Sequence, residues 1–233
     1  MPEHADGRLA VIIPAYQAAK TLPGVVERTR QSVADAHVYV VDDGSTDGTG
    51  EGRWGTGVTV LRHERNRGKG AALASGIARA LVLGAGAIVT LDADGQHPPE
   101  LIPGLVGPIA RGEADLVLGA RARSAAMPLG RRVNNWLSAA LTSRVGGQLV
   151  VDAQTGFRAF TRTVAEAIRP SETSYDYEAA FLLGVVDRGF RVRSVPIPTI
   201  YDGAASHFRH WLDTWRLARV FVRYSRPILL GRR

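Results

Sequence analysis

The alternation of apolar and helical segments is the feature that most limits what this chain can fold into. Short segments rich in β-branched residues alternate with longer segments of helical period, which is typical of βα units around a mostly parallel sheet. The predicted strands are LAVIIPAY, HVYVVDD, VTVLRH, AIVTLDAD and ADLVLGAR, and the predicted helices cover residues 20–34, 69–83 and 98–111. The strands show little apolar–polar alternation, which indicates a sheet that is covered on both faces.

Polar residues follow each predicted strand directly. The segments that come after the first to the fifth strand are PAY, DDGSTDGT, NRGKG, DADGQH and GAR. In open α/β sheets, ligands bind in the crevice outside the carboxyl ends of the strands. The five polar segments therefore predict a ligand site at one edge of the sheet.

The fourth polar segment contains two aspartates with one residue between them. Alternate side chains of a strand share a face, so Asp92 and Asp94 would project together and repel unless a cation or a proton lay between them. The pair indicates a metal site, a bound proton or a solvent-exposed Asx-type turn, since Asp and Gly often end strands. The residues alone leave these three possibilities open.

The second and third polar segments have two interpretations each. Asp43 could accept hydrogen bonds from a base or a ribose, while Ser45 or Asp47 could instead cap a helix. The glycines of NRGKGAAL could expose backbone N–H groups to an anion or simply allow close helix packing. The chain lacks the spacing GxxxxGK[ST], and no GxGxxG follows the first strand, which argues against a P-loop protein and a Rossmann dehydrogenase.

Composition limits the protein class. With 233 residues, 45% of them hydrophobic, we expect one domain with one sizeable core, with or without a C-terminal appendage. The absence of cysteine excludes disulfides and thiolate metal sites. The start MPEHADGRLA does not resemble a signal peptide, and no apolar run is long enough to span a bilayer. We therefore expect a cytoplasmic location.

The basic charge is concentrated at the C-terminus. Residues 207–233 contain seven arginines and one aspartate, whereas the net charge of the whole chain is +7. Apolar residues spaced i, i+3, i+4, i+7 and arginines spaced 3, 4, 3 predict two faces of one helix. They are Leu217, Val220, Phe221 and Tyr224 on one face, and Arg216, Arg219, Arg223 and Arg226 on the other. Such a helix could lie on an anionic membrane surface or dock on the rest of the protein. The tail lacks the aromatic platforms on strands that are typical of single-strand nucleic-acid binders.

These segments, in this order, resemble the inverting family 2 glycosyltransferases of the GT-A fold, and in particular the dolichyl- or polyprenyl-phosphate sugar transferases. The resemblance runs from about residue 10 to about residue 209 and also includes QTGFRAF, YDYEAAFLL and VPIPTIY. It implies a GT-A catalytic domain over residues 1–206, with a mostly parallel sheet flanked by helices. A basic amphipathic helix would follow over residues 207–233.

The resemblance also implies roles for individual residues. Those expected to contact substrate are Pro14, Tyr16, Val41, Asp43, Asp92, Ala93, Asp94, Arg121, Gln154, His207 and Arg209. Those expected to hold Mg²⁺ or Mn²⁺ are Asp92 and Asp94 of the DXD element together with Gln96. Those expected to take part in the chemistry are Asp94, Arg121 and Glu178. A structural role remains an alternative for Glu178, and likewise for Asp152, Gln154 and Arg158, with the structural interpretation favoured for Arg158.

The resemblance implies transfer of a hexose from a nucleotide-sugar donor to a polyprenyl phosphate, by a protein bound peripherally at the cytoplasmic face of the membrane. An ionised lipid phosphate can attack the anomeric carbon without a general base. Ala18 stands where this branch of the family usually has an acidic residue, and His207 stands where mannosyl relatives have a lysine. UDP-glucose is therefore as plausible a donor as GDP-mannose. The alternatives are a glycosyltransferase with a soluble or protein hydroxyl acceptor, for which Glu178 would be the base, and a non-catalytic binding module.

Overall fold

The computed structural model describes residues 7–52, 54–121, 138–140, 142–144, 147–174 and 176–198. Its strands are β1 (Arg8–Ala15), β2 (His37–Asp42), β3 (Val58–Arg62), β4 (Ala85–Thr90), β5 (Leu116–Arg121), β6 (Arg158–Thr161) and β7 (Val192–Ile197). Its α-helices are α1 (Leu22–Ser32), α2 (Lys69–Val82), α3 (Ile102–Ala110), α4 (Arg162–Ala167) and α5 (Asp176–Asp187). The expected basic helix over residues 207–233, with His207 and Arg209, lies outside the described residues.

The strands form one sheet in the order β3-β2-β1-β4-β6-β5-β7. Strand β1 pairs in parallel with β2 and β4, β2 with β3, and β5 with β7. Strand β6 lies antiparallel between β4 and β5. The predicted α/β fold with a mostly parallel sheet is therefore confirmed, and β6 and β7 extend it beyond the five predicted strands.

The predicted helices are also present, with shorter ends. The segment 20–34 forms α1, and the segment 69–83 forms α2. The segment 98–111 begins as a short 3-10 turn at Pro99–Leu101 and continues as α3. Pro99, at the start of that turn, is suited to a first helical turn because its fixed φ matches the helix and its missing N–H would have no partner there.

Each face of the sheet packs against its own layer of helices. In β1, Ile12 packs with Ile77 of α2 and Phe181 of α5, whereas Val11 and Ile13 pack with the layer of α1 and α3. These three β1 residues are fully buried. Burial on both faces explains why the strands are apolar throughout.

This topology places the carboxyl ends of six strands at one edge of the sheet. Because β6 runs in the opposite direction, its first residue lies at the same edge, where Arg158 pairs with Thr90 of β4. The segment that leads into β6 therefore meets the polar residues that follow β4 and β5. Among the described helices, none is long and apolar enough to cross a membrane.

Candidate active site

The two aspartates after β4 lie in a tight turn at this edge. The Oδ1 atom of Asp94 accepts a hydrogen bond from the Gln96 N–H at 2.9 Å, and Gly95 has a φ of +80°. Asp94 is exposed, while the side chain of Asp92 keeps 26% of its surface accessible. The Asx-type turn considered from the sequence is thus present at Asp94, and it leaves the outer carboxylate oxygens accessible to a ligand.

A lysine that the sequence analysis did not single out as a site residue neutralises the inner aspartate. The Nζ atom of Lys69, the first residue of α2, lies 2.6 Å from Asp92 Oδ1 and 3.2 Å from Glu178 Oε2. Glu178 lies in the first turn of α5. An ammonium group of the protein itself therefore helps to relieve the repulsion expected at the DXD segment.

The charges of this pair are mutually stabilised. Burial raises the pKa of Asp92, but the surrounding charges and hydrogen bonds, chiefly those of Lys69, together outweigh burial and hold the pKa at about 2. Burial lowers the pKa of Lys69, but Asp92 and Glu178 outweigh it and raise the pKa above its usual value. At neutral pH, Asp92 is a carboxylate and Lys69 an ammonium.

His97 is a buried residue that contacts the turn containing Asp92 and Asp94. It is 4% exposed, its ring stacks on Phe157 with 5.4 Å between centroids, and its Nδ1 accepts the Asp92 backbone N–H at 3.3 Å. Burial lowers the pKa of His97, so the ring is neutral at pH 7. A neutral ring is also what an accepting Nδ1 requires.

The segment before β6 packs directly against the carboxylates. A Cβ atom at Gly156 would lie 2.9 Å from Asp92 Oδ2 and 3.0 Å from Glu178 Oε1, closer than such contacts normally come. Thr90 holds the segment in place, because its Oγ1 donates to the Gly156 carbonyl at 2.8 Å. The close approach of backbone to carboxylate explains why this position holds a glycine.

Arg158 is a structural residue, in agreement with the interpretation favoured from the sequence. It is 3% exposed, and its guanidinium donates to the carbonyls of Thr155 (2.7 Å), Ala153 (3.2 Å) and Glu178 (2.7 Å). It thereby joins the segment before β6 to the first turn of α5. Burial lowers its pKa, opposed by the charges of neighbouring carboxylates.

Arg121, at the end of β5, is held by a buried carboxylate. Its Nε lies 2.8 Å from Asp152 Oδ2 and its Nη2 lies 3.2 Å from Asp152 Oδ1, while Asp152 is 1% exposed. The backbone N–H of Gln154 donates to the same carboxylate at 3.1 Å. Asp152 therefore orients Arg121, and the predicted substrate contacts of Arg121 and Gln154 stay predictions.

The residues expected at the nucleoside differ in exposure. Pro14 and Val41 are buried, whereas Tyr16 is 46% exposed at the end of β1. Ala93, between the two aspartates, is buried. The nucleoside contacts of Pro14, Tyr16 and Val41 stay predictions.

Asp43 is engaged within the protein itself. It is 2% exposed, and its carboxylate accepts from the Arg67 N–H at 2.9 Å and the Gly68 N–H at 2.7 Å. Its Oδ1 also lies 2.6 Å from His63 Nδ1, and His63 Nε2 lies 2.9 Å from Ser75 Oγ. Asp43 thus anchors the loop before α2, and its role at the nucleoside stays a prediction.

A polar network joins the end of β1 to the loop after β2. Gln17 lies in the left-handed region with a φ of +52°, and its N–H donates to Ser45 Oγ. Its side-chain amide donates to Thr46 Oγ1 and accepts the Thr46 backbone N–H. Asp47 Oδ1 accepts the N–H of Thr49, the first residue of a short 3-10 turn. This bond forms an Asx-type turn, whereas the N-cap of the 3-10 turn is Gly48 and no side chain caps it, so the capping role considered for Asp47 is wrong. The network shapes the wall of the crevice beside Tyr16.

The acidic residues fit a divalent cation that a substrate helps to hold. Within the described parts of the chain, no three His, Cys, Asp or Glu side chains come close enough to form a metal site of their own. Mg²⁺ is commonly bound by one or two carboxylates together with substrate phosphates and water. Two aspartates and the amide of Gln96, all oxygen donors at one turn, match that chemistry.

The fold and the polar residues at this edge of the sheet are those of a glycosyltransferase of GT-A architecture. Residues 10–169 match the family model described as Glycosyl transferase family 2, and the chain therefore belongs to glycosyltransferase family 2. Glucosyl-3-phosphoglycerate synthase from Mycobacterium tuberculosis has a similar structure, with a TM-score of 0.73 and 25% identity over 94% of this chain and 80% of that one. Its crystals contain Mn²⁺, UDP-glucose and phosphoglyceric acid.

Two curated relatives are similar over most of their length. UDP-N-acetylglucosamine–dolichyl-phosphate N-acetylglucosaminyltransferase from Methanococcus voltae is 31% identical over 220 residues, which cover 84% of this chain and 87% of the relative. Undecaprenyl-phosphate mannosyltransferase from Micrococcus luteus is 30% identical over 204 residues, which cover 82% of each chain. The chain is thus similar to transferases whose names specify polyprenyl-type phosphate acceptors and different sugars.

Proposed function

We propose that this glycosyltransferase moves a hexose from a nucleotide-diphospho-sugar, of the UDP-glucose or GDP-mannose type, to a polyprenyl phosphate with inversion at the anomeric carbon. The observation that carries the proposal is that acidic residues around the DXD turn form ion pairs with basic residues of the protein. Asp92 and Glu178 share the Lys69 ammonium, and Asp152 is paired with Arg121. These carboxylates are committed to cations of the protein, which favours an acceptor that needs no general base.

A phosphate acceptor meets that condition. It is ionised near pH 7, so one of its oxygens can attack the anomeric carbon without losing a proton. The bond between that carbon and the diphosphate oxygen breaks as the new bond forms, and the nucleoside diphosphate leaves with the bonding electron pair. The products are a sugar-phosphate lipid and the nucleoside diphosphate.

The residues of the site then act through position and charge. Asp92, Asp94 and Gln96 would hold Mg²⁺ or Mn²⁺, which when bound neutralises charge on the leaving diphosphate. Arg121, fixed by Asp152, supplies a preorganised positive charge at the same edge of the sheet. The relatives with dolichyl- and undecaprenyl-phosphate in their names support the acceptor class, and the solved structure with Mn²⁺ and UDP-glucose supports the donor class and the cation.

A soluble hydroxyl acceptor is the second candidate, because the similar solved structure holds phosphoglyceric acid. Glu178 would then be the base, and it would have to give up its 3.2 Å contact with Lys69. Incubation of the protein with UDP-glucose, UDP-N-acetylglucosamine or GDP-mannose, and with either undecaprenyl phosphate or 3-phosphoglycerate, separates the two. Product on the lipid alone is expected; product on 3-phosphoglycerate alone would overturn the proposal.

The metal is tested by Asp94→Asn. The variant should fold normally and lose at least about 100-fold in kcat/KM, equivalent to about 2.7 kcal/mol of barrier. Asp35→Asn, at an exposed turn, is the matched control and should keep full activity. Excess EDTA should reproduce the loss, and Mg²⁺ or Mn²⁺ should reverse it; full activity in EDTA would refute the metal.

The membrane part of the proposal concerns residues 207–233, which would form a basic helix beside a catalytic domain at residues 1–206. Attraction of arginines to an anionic surface is screened over about 10 Å at 0.1 M salt. Sedimentation with vesicles containing anionic lipid should therefore weaken with salt, and it should be lost when Arg216, Arg219, Arg223 and Arg226 are replaced together. Equal binding to neutral phosphatidylcholine vesicles would contradict peripheral attachment at the cytoplasmic membrane face.

A further inference from the structure

Lys69 occupies a position that helix formation does not favour. It is the first residue of α2, where the helix dipole is positive and a cation is destabilising. Its Nζ nevertheless lies 2.6 Å from Asp92 Oδ1 and 3.2 Å from Glu178 Oε2, and 19% of its side chain is exposed. The contacts with the two carboxylates, and not the stability of the helix, therefore explain why a lysine occupies this position.

The backbone around Lys69 is fixed independently of its charge. The N–H of Ala71 donates to the Thr173 carbonyl at 3.1 Å. A Cβ atom at Gly70 would lie 2.5 Å from the Cβ of Tyr177, so the start of α2 is in tight contact with the start of α5. The tight contact between the starts of α2 and α5 thus fixes the position of the Lys69 ammonium beside Asp92.

We propose that Lys69 is the resident counter-cation of the donor site: it holds Asp92 before the donor arrives and competes with the divalent cation for this carboxylate. This inference rests on the metal-dependent function proposed above. Metal and Lys69 cannot both approach Asp92 Oδ1 closely, because each needs that oxygen and the two cations repel. The metal therefore binds weakly alone and tightly together with a nucleoside diphosphate.

The diphosphate changes this balance because it brings negative charge of its own. Its oxygens supply ligands to the metal and attract the ammonium that Asp92 releases. Until then, release of Asp92 would leave Lys69 with Glu178 as its carboxylate partner at this junction. Competition by Lys69 thus makes metal and nucleotide binding cooperative, and it keeps the charges of the site balanced while the donor is absent.

The test measures binding of Mn²⁺ alone by calorimetry and by the loss of its free electron paramagnetic resonance signal. Lys69→Met removes the charge and keeps most of the side-chain length, and it should bind Mn²⁺ alone at least tenfold more tightly than wild type. Lys20→Met, at the second and exposed lysine of the chain, is the matched control and should bind like wild type. Lys69→Arg retains a cation and should not tighten Mn²⁺ binding as Lys69→Met does.

A second titration is made with saturating UDP, and again with GDP. Wild type should gain at least tenfold in Mn²⁺ affinity when the nucleotide is present, whereas Lys69→Met should gain much less. Mn²⁺ should also raise the melting temperature of Lys69→Met more than that of wild type, which shows that the variant is folded.

Equal or weaker binding of Mn²⁺ alone by folded Lys69→Met would overturn the inference. If sugar transfer by wild type still required metal, the proposed function would stand without it. If no variant bound Mn²⁺ even with a nucleotide and transfer proceeded in EDTA, the metal part of the proposed function would fail as well.

Discussion

Replacement of Arg158 by methionine removes the guanidinium that joins the segment before β6 to α5. Methionine retains much of the apolar stem, so the change acts mainly on the hydrogen bonds. Three backbone carbonyls, those of Ala153, Thr155 and Glu178, would lose this donor in an interior where Arg158 itself is 3% exposed.

The expected loss follows from those bonds. A buried acceptor left without its donor costs about 1–3 kcal/mol of folding free energy. If three carbonyls each lost their donor with no compensation, the total loss would therefore be well above about 3 kcal/mol. Two effects reduce it: water can enter the vacated space, and the variant no longer buries a charge, a burial that lowers the pKa of Arg158. We therefore expect a destabilisation of about 3–4 kcal/mol. In a protein of this size, this corresponds to a fall in melting temperature of about 6–15 °C.

Thermal unfolding and urea titration measure this loss. The control is Arg28→Met, which breaks the Arg28–Glu100 pair at 2.7 Å on the surface and should cost no more than about 1 kcal/mol. If the two variants unfolded at the same temperature, the three buried hydrogen bonds would not carry the stability assigned to them. Retained stability with lost donor binding would instead make Arg158 a ligand residue.

Three further changes probe the site. Gly156→Ala should keep the melting temperature within a few degrees but lower transfer at least about tenfold, because its Cβ would displace the Asp92 carboxylate. His63→Leu removes the 2.6 Å contact with Asp43 and should destabilise the protein by about 1–3 kcal/mol in urea. For His97, burial lowers the folded-state pKa below 6.5, so the unfolded state binds more protons and wild type loses stability as pH falls below about 6.5; His97→Gln should lose less.

Each of these has a control or a contrary outcome. Gly24→Ala, where an added Cβ would meet no atom within 4 Å, should leave both transfer and stability unchanged. Unaltered transfer by Gly156→Ala would mean that the carboxylate accommodates the methyl group. A His63→Leu protein as stable as wild type would mean that the contact between His63 and Asp43 adds no stability. Identical pH slopes for wild type and His97→Gln would show that folding does not shift the pKa of His97.

The sheet could be predicted from the sequence because a strand that is buried on both faces is apolar at every position. The run VIIP of β1 contains no polar side chain, and Val11, Ile12 and Ile13 are indeed buried from both sides. The direction of β6 cannot be read from its sequence, because the segment RAFT can pair with a parallel or an antiparallel neighbour. Its place between β4 and β5 depends on contacts of the whole chain, such as the pairing of Thr90 with Arg158.

The candidate site was predicted in part for the same reason. Residues that directly follow parallel strands must lie at one edge, so Asp92, Asp94 and Arg121 were found from their position in the sequence. Lys69 lies in NRGKG, but Asp92 and Glu178 are remote from it along the chain, so the sequence does not show that its ammonium meets them. Nothing in the sequence predicts that the Asp43 carboxylate accepts hydrogen bonds from backbone N–H groups of the loop before α2.

The sequence by itself thus determined which segments are buried and which polar residues meet at the carboxyl edge, because strand period and chain order act over a few residues. Only the tertiary structure decided which charges neutralise one another. Coulomb energy depends on distances of a few ångströms between segments that are remote along the chain. Lys69, Asp92 and Glu178 come from three such segments, and their contact exists because β4 ends, and α2 and α5 begin, at the same edge.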